Sequence, residues 1–403
     1  MRSERGAVTL LSIGHASVDF YQGAVPAVVP VLVAQRHYGY LAVSGIMLAA
    51  TLLSSVVQPL FGVLTDRRAM PWLLPVSMST AGLGLAASGL SDSYLVTWLA
   101  IALSGVGVAA YHPEAARLAR VVSRGGHGAM SWFSLGGNIG FALAPLVVTP
   151  ILAAGGLAAT PLLLGSAALG VLLTLTVLRS LSRGDAADRA QGARSGRDDW
   201  PAFLRLSAVV VCRSIIYVGL SAFVALYAGE HGVSGAVALF VLFAGGAVGT
   251  VLGGRLAVRW GRIRTVRIAY AAVIPMLAGV VFVPGYGLYP FVAATGIALY
   301  VPFSLHITLG QDYLPNRVGT ASGVTLGLAV SIGGVATPAV GALADATSLQ
   351  VALGSLLALA ALAWFLARGL REPVSAGCSS GGSSCTPGSG SDRVAPGSAT
   401  RPG

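Results

Sequence analysis

The sequence predicts an all-α membrane protein: twelve transmembrane helices in two six-helix, pseudo-symmetric halves, with both termini in the cytoplasm. Three observations predict it. The first is hydropathy. Hydrophobic residues make up 55% of the chain and charged residues 10%, against about 25% charged in an ordinary soluble domain. Mean hydropathy is +0.79. Apolar runs of about 20 residues span the hydrocarbon as helices and are too long for barrel strands, the other backbone that lipid tolerates.

The second observation is where the arginines fall. They sit at Arg2 and Arg5, at Arg67 and Arg68, at Arg117, Arg120 and Arg124, from Arg179 to Arg205, from Arg255 to Arg267, at Arg317, and at Arg368 and Arg371. Those are the N-terminus, the even-numbered loops and the C-terminal side. The odd loops carry only Arg36, beside Asp92, Glu230 and Asp345. Basic loops stay cytoplasmic. The third observation is repetition at an offset of about 190 residues. Ser44-Gly45 and Ser234-Gly235 open two spans, and Gly62-Val63-Leu64 and Gly254-Arg255-Leu256 close them. Gly140 with Pro145 matches Gly333 with Pro338. Parallel six-span repeats are a transporter design.

The spans follow in order. Span 9–33 carries His15 and Asp19. Span 41–64 ends at the Gly62 turn, and 71–90 opens on Pro71. Span 94–115 ends in Tyr111-His112-Pro113-Glu114, where the proline is expected to bend or end the helix. Spans 127–152 and 157–178 complete the first half, residues 1–178. Residues 179–201 are polar and arginine-rich and read as a cytoplasmic linker. Span 203–228 carries Cys212 and Arg213. Spans 234–257, 266–284, 288–310, 317–342 and 349–367 complete the second half, residues 202–370. The interruptions near Gly155 and Gly287 are the shortest. From 371 to 403 the chain becomes Gly/Ser-rich, a composition that cannot bury enough surface to fold, and is expected to be disordered.

The net charge of +11 is spread over membrane-flanking loops and forms no basic domain, which argues against nucleic acid. Three cysteines, Cys212, Cys378 and Cys385, match no metal set or disulfide framework. No removable leader is expected, because His15 and Asp19 interrupt the first apolar run. The chain has no lysine and so no Walker loop. No cofactor and no metal are expected. An intramembrane enzyme built from His15, Asp19, His112 and Glu114 is a rival, opposed by the repeat and by the lack of a His-Glu-x-x-His helix. A receptor or scaffold would need a folded soluble module, which neither the linker nor the tail supplies.

Ionisable groups inside spans are costly and mark ion or substrate paths. His15 and Asp19 are four apart and share a helix face. Asp19 lies about eleven residues into its span, near mid-membrane. A carboxylate there can take up and release a proton as its surroundings alternate between wet and dry. A structural hydrogen bond between helices is the competing explanation. His112 lies at a depth similar to His15, and histidine titrates near neutrality. Glu114 is either part of this proton path or a helix-end carboxylate paired with Arg117 or Arg120. Arg213 lies about ten residues into its span and cannot discharge, so it wants an anion. That anion is a carboxylate such as Asp19 or a substrate, whose phosphonate or carboxylate oxygens a guanidinium binds in bidentate fashion. His306 is a weaker candidate for substrate contact. Asp66 and Arg67, at a helix end, could hold the cytoplasmic gate shut. Gly140, Pro145, Gly333 and Pro338, followed by Gly341, are expected to form the moving seam between halves.

Gly62-Val63-Leu64-Thr65-Asp66-Arg67-Arg68, between the second and third of twelve spans, resembles the signature loop of the major facilitator superfamily. It departs at Ala69, usually glycine there. The second copy, 254–262, has Val258 where the aspartate belongs. Over about residues 10–370 the chain is similar to the fosmidomycin-resistance branch. The similarity rests on Gly14-His15 with Asp19-Phe20-Tyr21-Gln22-Gly23 and Pro26, on Pro71-Trp72-Leu73-Leu74-Pro75, on Tyr111-His112-Pro113-Glu114, and on Gly137-Asn138-Ile139-Gly140-Phe141-Ala142. The resemblance implies the major facilitator fold, with the first, fourth, seventh and tenth helices around a central cavity that His15 and His112 could both face. It implies a proton-driven exporter of small drugs, with a phosphonate antibiotic as namesake. Tyr21, Gln22, Tyr111 and Asn138 join Arg213 and His306 as expected substrate contacts, and Arg117 joins the gate.

The expected function is thus a secondary active transporter, a proton-coupled antiporter exporting a small drug-like or anionic compound by alternating access. Proton-coupled import of a small organic anion is the alternative. The expected partners are a small molecule, protons and the lipid bilayer, for a monomer in the cell's inner (plasma) membrane.

Overall fold

A computed structural model describes residues 2–52, 57–58, 60–61, 64–65, 69–122, 127–181, 197–317, 320–321, 324–325 and 329–373. Gly62, Asp66 and Arg67, most of the expected linker and the tail after 373 lie outside the described residues. Among the described residues every regular element is a helix, as lipid requires of a backbone with no water to bond. Nine helices there are long and apolar enough to cross a membrane, and Tyr40–Leu52 and Leu73–Ala87 are shorter apolar helices.

The helices are α1 Arg2–Arg36, α2 Tyr40–Leu52, α3 Leu73–Ala87, α4 Tyr94–Val122, α5 His127–Gly155 and α6 Leu164–Leu181, the last preceded by a 3-10 turn, Leu157–Leu163. Then come α7 Trp200–Glu230, α8 Gly235–Trp260, α9 Arg262–Phe282, α10 Leu288–Tyr300, α11 Phe303–Tyr313, α12 Ala329–Ala346 and α13 Leu349–Arg368. The two short interruptions are real turns. Gly156 (φ +59°) and Gly285 (φ +64°) both adopt a backbone that side chains disfavour. Asp199, Ser234 and Ser348 cap α7, α8 and α13 with side-chain oxygens on the first free N–H groups.

The span expected at 288–310 lies within one apolar segment, Gly285–Tyr313, long enough to cross a membrane, and that segment has a break after Tyr300, where Pro302 has no N–H to donate and a new helix starts at Phe303. One expectation is corrected. Pro113 does not end its helix: α4 runs on to Val122.

The packing repeats along the chain. α1 lies against α5 and α6, and α7 against α12 and α13. α3 packs on α4 and α6, as α9 packs on α10 and α13, and α2 meets α4 as α8 meets α10. Between these groups the main contacts are α2 with α12 and α5 with α8. One end of the α2–α12 contact is polar. The Asp345 carboxylate accepts from the Tyr40 and Leu41 N–H groups, both at 2.8 Å, and so caps α2 from another helix. The Tyr40 hydroxyl donates to Glu230 Oε1 at 2.8 Å. Further along, Gly341 and Gly334 allow α12 to approach Ser44 and Thr51 of α2, where an added Cβ would clash.

Candidate transport site

Asp19 sits between two histidines. His15 Nε2 is 3.2 Å from Asp19 Oδ2, and His112 Nε2 is 3.1 Å from Asp19 Oδ1. The opposite ring nitrogens are committed: His15 Nδ1 donates to the Phe133 carbonyl at 2.8 Å, and His112 Nδ1 donates to the Val108 carbonyl at 2.7 Å. A carbonyl only accepts, so each Nδ1 must carry hydrogen. Any proton that comes and goes is therefore held between an Nε2 and the carboxylate. With one proton there, only one of the two contacts is a hydrogen bond; with two, both are. All the donor atoms lie within 4.8 Å of one another. The imidazoles face different oxygens of one carboxylate, with His15 Nε2 and Asp19 Oδ1 buried and without a hydrogen-bond partner.

The cluster is built by α1, α4 and α5. His15 stacks on Phe133 of α5 (ring centroids 4.3 Å apart) and meets His112 of α4 edge-on at 5.2 Å. A Cβ on Gly137 would lie 2.3 Å from Asp19 Oδ2 and 2.9 Å from the His15 ring, so α5 closes over the carboxylate only because residue 137 has no side chain. Gly137→Ala is expected to force the Asp19 carboxylate off one imidazole and cut transport severalfold. Vesicle uptake together with the thermal unfolding midpoint checks this. Unchanged transport at unchanged stability would show that the contact geometry is dispensable.

The second centre lies on α7, α10 and α11. Arg213 is 3% exposed. Its Nε donates to the Leu299 carbonyl at 2.6 Å, and its guanidinium faces Tyr300 at 4.6 Å, Phe303 at 5.0 Å and Tyr217 at 5.8 Å. One terminal nitrogen is buried with no hydrogen-bond partner. Aromatic faces stabilise a cation without neutralising it, and no carboxylate pairs with Arg213 among the described residues. A string of rings, Phe141 to Phe243 (5.6 Å), Phe243 to Tyr217 (6.3 Å) and Tyr217 to Tyr300 (5.0 Å), links α5 to this box.

The expected site residues divide accordingly. His15, Asp19 and His112 converge, and Tyr111 flanks them with a buried hydroxyl that has no partner. Gln22, three residues after Asp19 on the same face, and Asn138, beside Gly137, are half-buried. Glu114 does not join the cluster: it is fully buried and pairs with Arg117 at 2.6 and 2.8 Å. Arg117 is thereby tied to its own helix. Tyr21 points away, its hydroxyl donating to the Leu163 carbonyl and accepting from Ala167 N–H, both at 2.8 Å. His306 is buried against Tyr270 of α9, with its Nε2 3.5 Å from the hydroxyl. Asp19 is paired with histidines, and no ion pair joins it to Arg213 among the described residues. Of the glycines expected in the seam, Gly341 lies at the α2–α12 contact between the groups, whereas Gly140 and Gly333 pack within one group each. Gly140 lies against the Ala16 carbonyl of α1, and the Gly333 N–H donates to the Ser214 hydroxyl oxygen of α7 at 3.0 Å. Pro145 and Pro338 sit inside α5 and α12.

Residues 11–338 match the Major Facilitator Superfamily. The chain belongs to the major facilitator superfamily. It is 30% identical over 368 residues to the fosmidomycin resistance protein of Escherichia coli (strain K12), covering 87% of this chain and 89% of that one. It is 29% identical over 376 residues to the MFS-type transporter YfnC of Bacillus subtilis (strain 168), covering 89% and 91%. Among solved structures, an inward-facing, occupied bacterial homologue of the human lysosomal transporter Spinster superimposes with a TM-score of 0.73 at 17% identity, over 91% of this chain and 98% of that one. The nucleoside transporter NupG gives 0.70 at 12%, over 90% and 98%. These likenesses establish the fold. As a superfamily member the chain is a multi-span membrane transporter of a small-molecule substrate, and not an enzyme.

The sequence reading missed Phe133, Gly137 as a contact, and the rings around Arg213. Tyr217 had a signal, four residues after Arg213 on the same helix face; Tyr300 and Phe303 had none.

Proposed function

We propose that the protein is a proton-coupled antiporter in the cell's inner (plasma) membrane, exporting a small anionic or drug-like compound by alternating access of two six-helix halves, 1–178 and 202–370. A fosmidomycin-like phosphonate is the first substrate to test, a choice supported by the name of the Escherichia coli relative. The observation that carries the reading is Asp19 held between two Nε2 atoms whose rings can exchange protons nowhere else. A buried carboxylate with two neutral or charged imidazoles can hold one proton or two without rebuilding its helices. The anion is received at Arg213, where a terminal nitrogen lacks a partner and where burial makes a charge-assisted bond strong. The protein works as a monomer, since each half supplies one of the two centres.

Export is measured in inverted vesicles across phosphonates, hydroxamates and common drugs, with and without a proton gradient. Gradient-dependent accumulation of an anion supports the proposal. Uptake in the opposite sense assigns the same two centres to import, and gradient-independent flux of neutral compounds alone removes both.

The polar contact at Tyr40 and Asp345 acts as a latch for one face. Asp345→Asn is expected to remove the charge from two helix-capping bonds, about 1–2 kcal/mol, and shift the conformer balance toward opening at that end by roughly tenfold. A cysteine at Ser44, labelled by an impermeant maleimide, would report it; unchanged labelling rates would show that the carboxylate does not latch.

A further inference from the structure

A groove of about 270 Å³ lies between α8, α9 and α10. α8 presses on α10 at Gly245, Gly249 and Gly253, where an added Cβ would strike the carbonyls of Ala293, Ile297 and Val301. α9 then leaves α8 at the Gly261 turn (φ +82°), and the space between them is the groove. Its walls include Leu256, Trp260, Ile268, Ala272, Met276 and Ile297. The polar side chain in the wall, Thr265, is satisfied by the Gly261 carbonyl at 2.8 Å. The groove reaches the surface at Trp260 and Ile268, 38% and 42% exposed.

Five arginines stand in the last turns of α8 and the first turns of α9, next in sequence to the groove residues Leu256, Trp260, Thr265 and Ile268, and two of them are engaged. Arg262 pairs with Asp312 and Glu372 at 2.6 and 2.9 Å, and Arg267 donates to the carbonyls of Ala367, Arg368 and Leu370. Arg255, Arg259 and Arg264 are exposed and make no ion pair among the described residues. Arg259 lies three residues after Leu256, and Arg264 four before Ile268, so both share the faces that line the groove. Val258, 91% exposed, and Trp260 put apolar surface among these charges. That mixture fits the headgroup level of a bilayer, where tryptophan anchors and arginine meets phosphate. It also gives a role to the loop copy that lacks the aspartate.

We propose that this groove holds one anionic phospholipid, with an acyl chain along α9 and the phosphate on Arg255, Arg259 and Arg264. An apolar groove open at the surface suits a methylene chain, and guanidinium groups bind a phosphate in bidentate fashion. Basic residues beside a membrane select anionic headgroups.

The test is native mass spectrometry of the full chain equilibrated with equal phosphatidylglycerol and phosphatidylcholine. The expected result is preferential retention of one phosphatidylglycerol, lost by roughly thirtyfold in Arg259→Ala/Arg264→Ala. These side chains are exposed, so the fold survives their removal. Met276→Phe, which fills the groove with the arginines intact, is expected to lose the same lipid; if it misfolds, Ala294→Leu replaces it. Equal retention of the two lipids, retention unchanged in the arginine variant, or displacement of the lipid by inorganic phosphate alone would overturn the proposal.

Discussion

Asp19→Asn is expected to abolish pH-gradient-driven transport while expression and fold persist. The amide keeps the shape of the carboxylate and can still donate to the bare Nε2 of a neutral imidazole, so α1, α4 and α5 stay packed around it. What it loses is the ability to hold a proton between itself and an Nε2. The two Nδ1 bonds to Phe133 and Val108 leave no alternative site on the rings. Substrate counterflow without a pH gradient should survive at a substantial fraction of the native rate, and its pH dependence should flatten. Measuring both modes in the same vesicles separates coupling from binding. Full gradient-driven accumulation by the variant would remove Asp19 from the coupling path; loss of counterflow as well would give it a binding role instead.

Arg213→Ala is expected to weaken anionic substrates by roughly ten- to a hundredfold, the loss of a charge-assisted hydrogen bond worth about 1.5–3 kcal/mol. Neutral compounds should lose far less. Removing the guanidinium leaves the Leu299 carbonyl without its donor and a hollow among Tyr217, Tyr300 and Phe303, so some stability is also lost. Arg213→Lys separates the two effects. It keeps the charge but not the flat face that fits between rings or the fork that meets two oxygens. An affinity order of arginine, lysine, alanine for anions, with similar unfolding midpoints for the first two, is the expected outcome. Equal losses for charged and neutral compounds would place Arg213 in the scaffold.

Hydropathy made the all-helical membrane fold legible, with nine membrane-length helices among the described residues, because a long apolar run has one structural answer in lipid. The break at Val301-Pro302 was not, since the run stays apolar through it; Pro302 itself was the available signal. At the site, His15 with Asp19 was legible because four residues return to the same face. The same arithmetic explains the misplacements. Tyr21 follows Asp19, and Glu114 follows His112, by two positions, or about 200° around a helix, and both point away from the cluster. The approach of α4 to α1 is a tertiary fact to which the resemblance pointed and local spacing did not. The box around Arg213 draws on α10 and α11, far along the chain, and no pattern near residue 213 announces it.

The carboxylate that starts α2 belongs to a residue 305 positions downstream. During synthesis, the first N–H groups of that helix must face interfacial water until the eleventh expected span has been inserted. The fastening at that end of the helix is therefore a property of the finished polypeptide. A nascent chain halted before residue 345 carries a second helix with a frayed beginning, open to whatever quality-control factor reads unsatisfied backbone at the membrane surface.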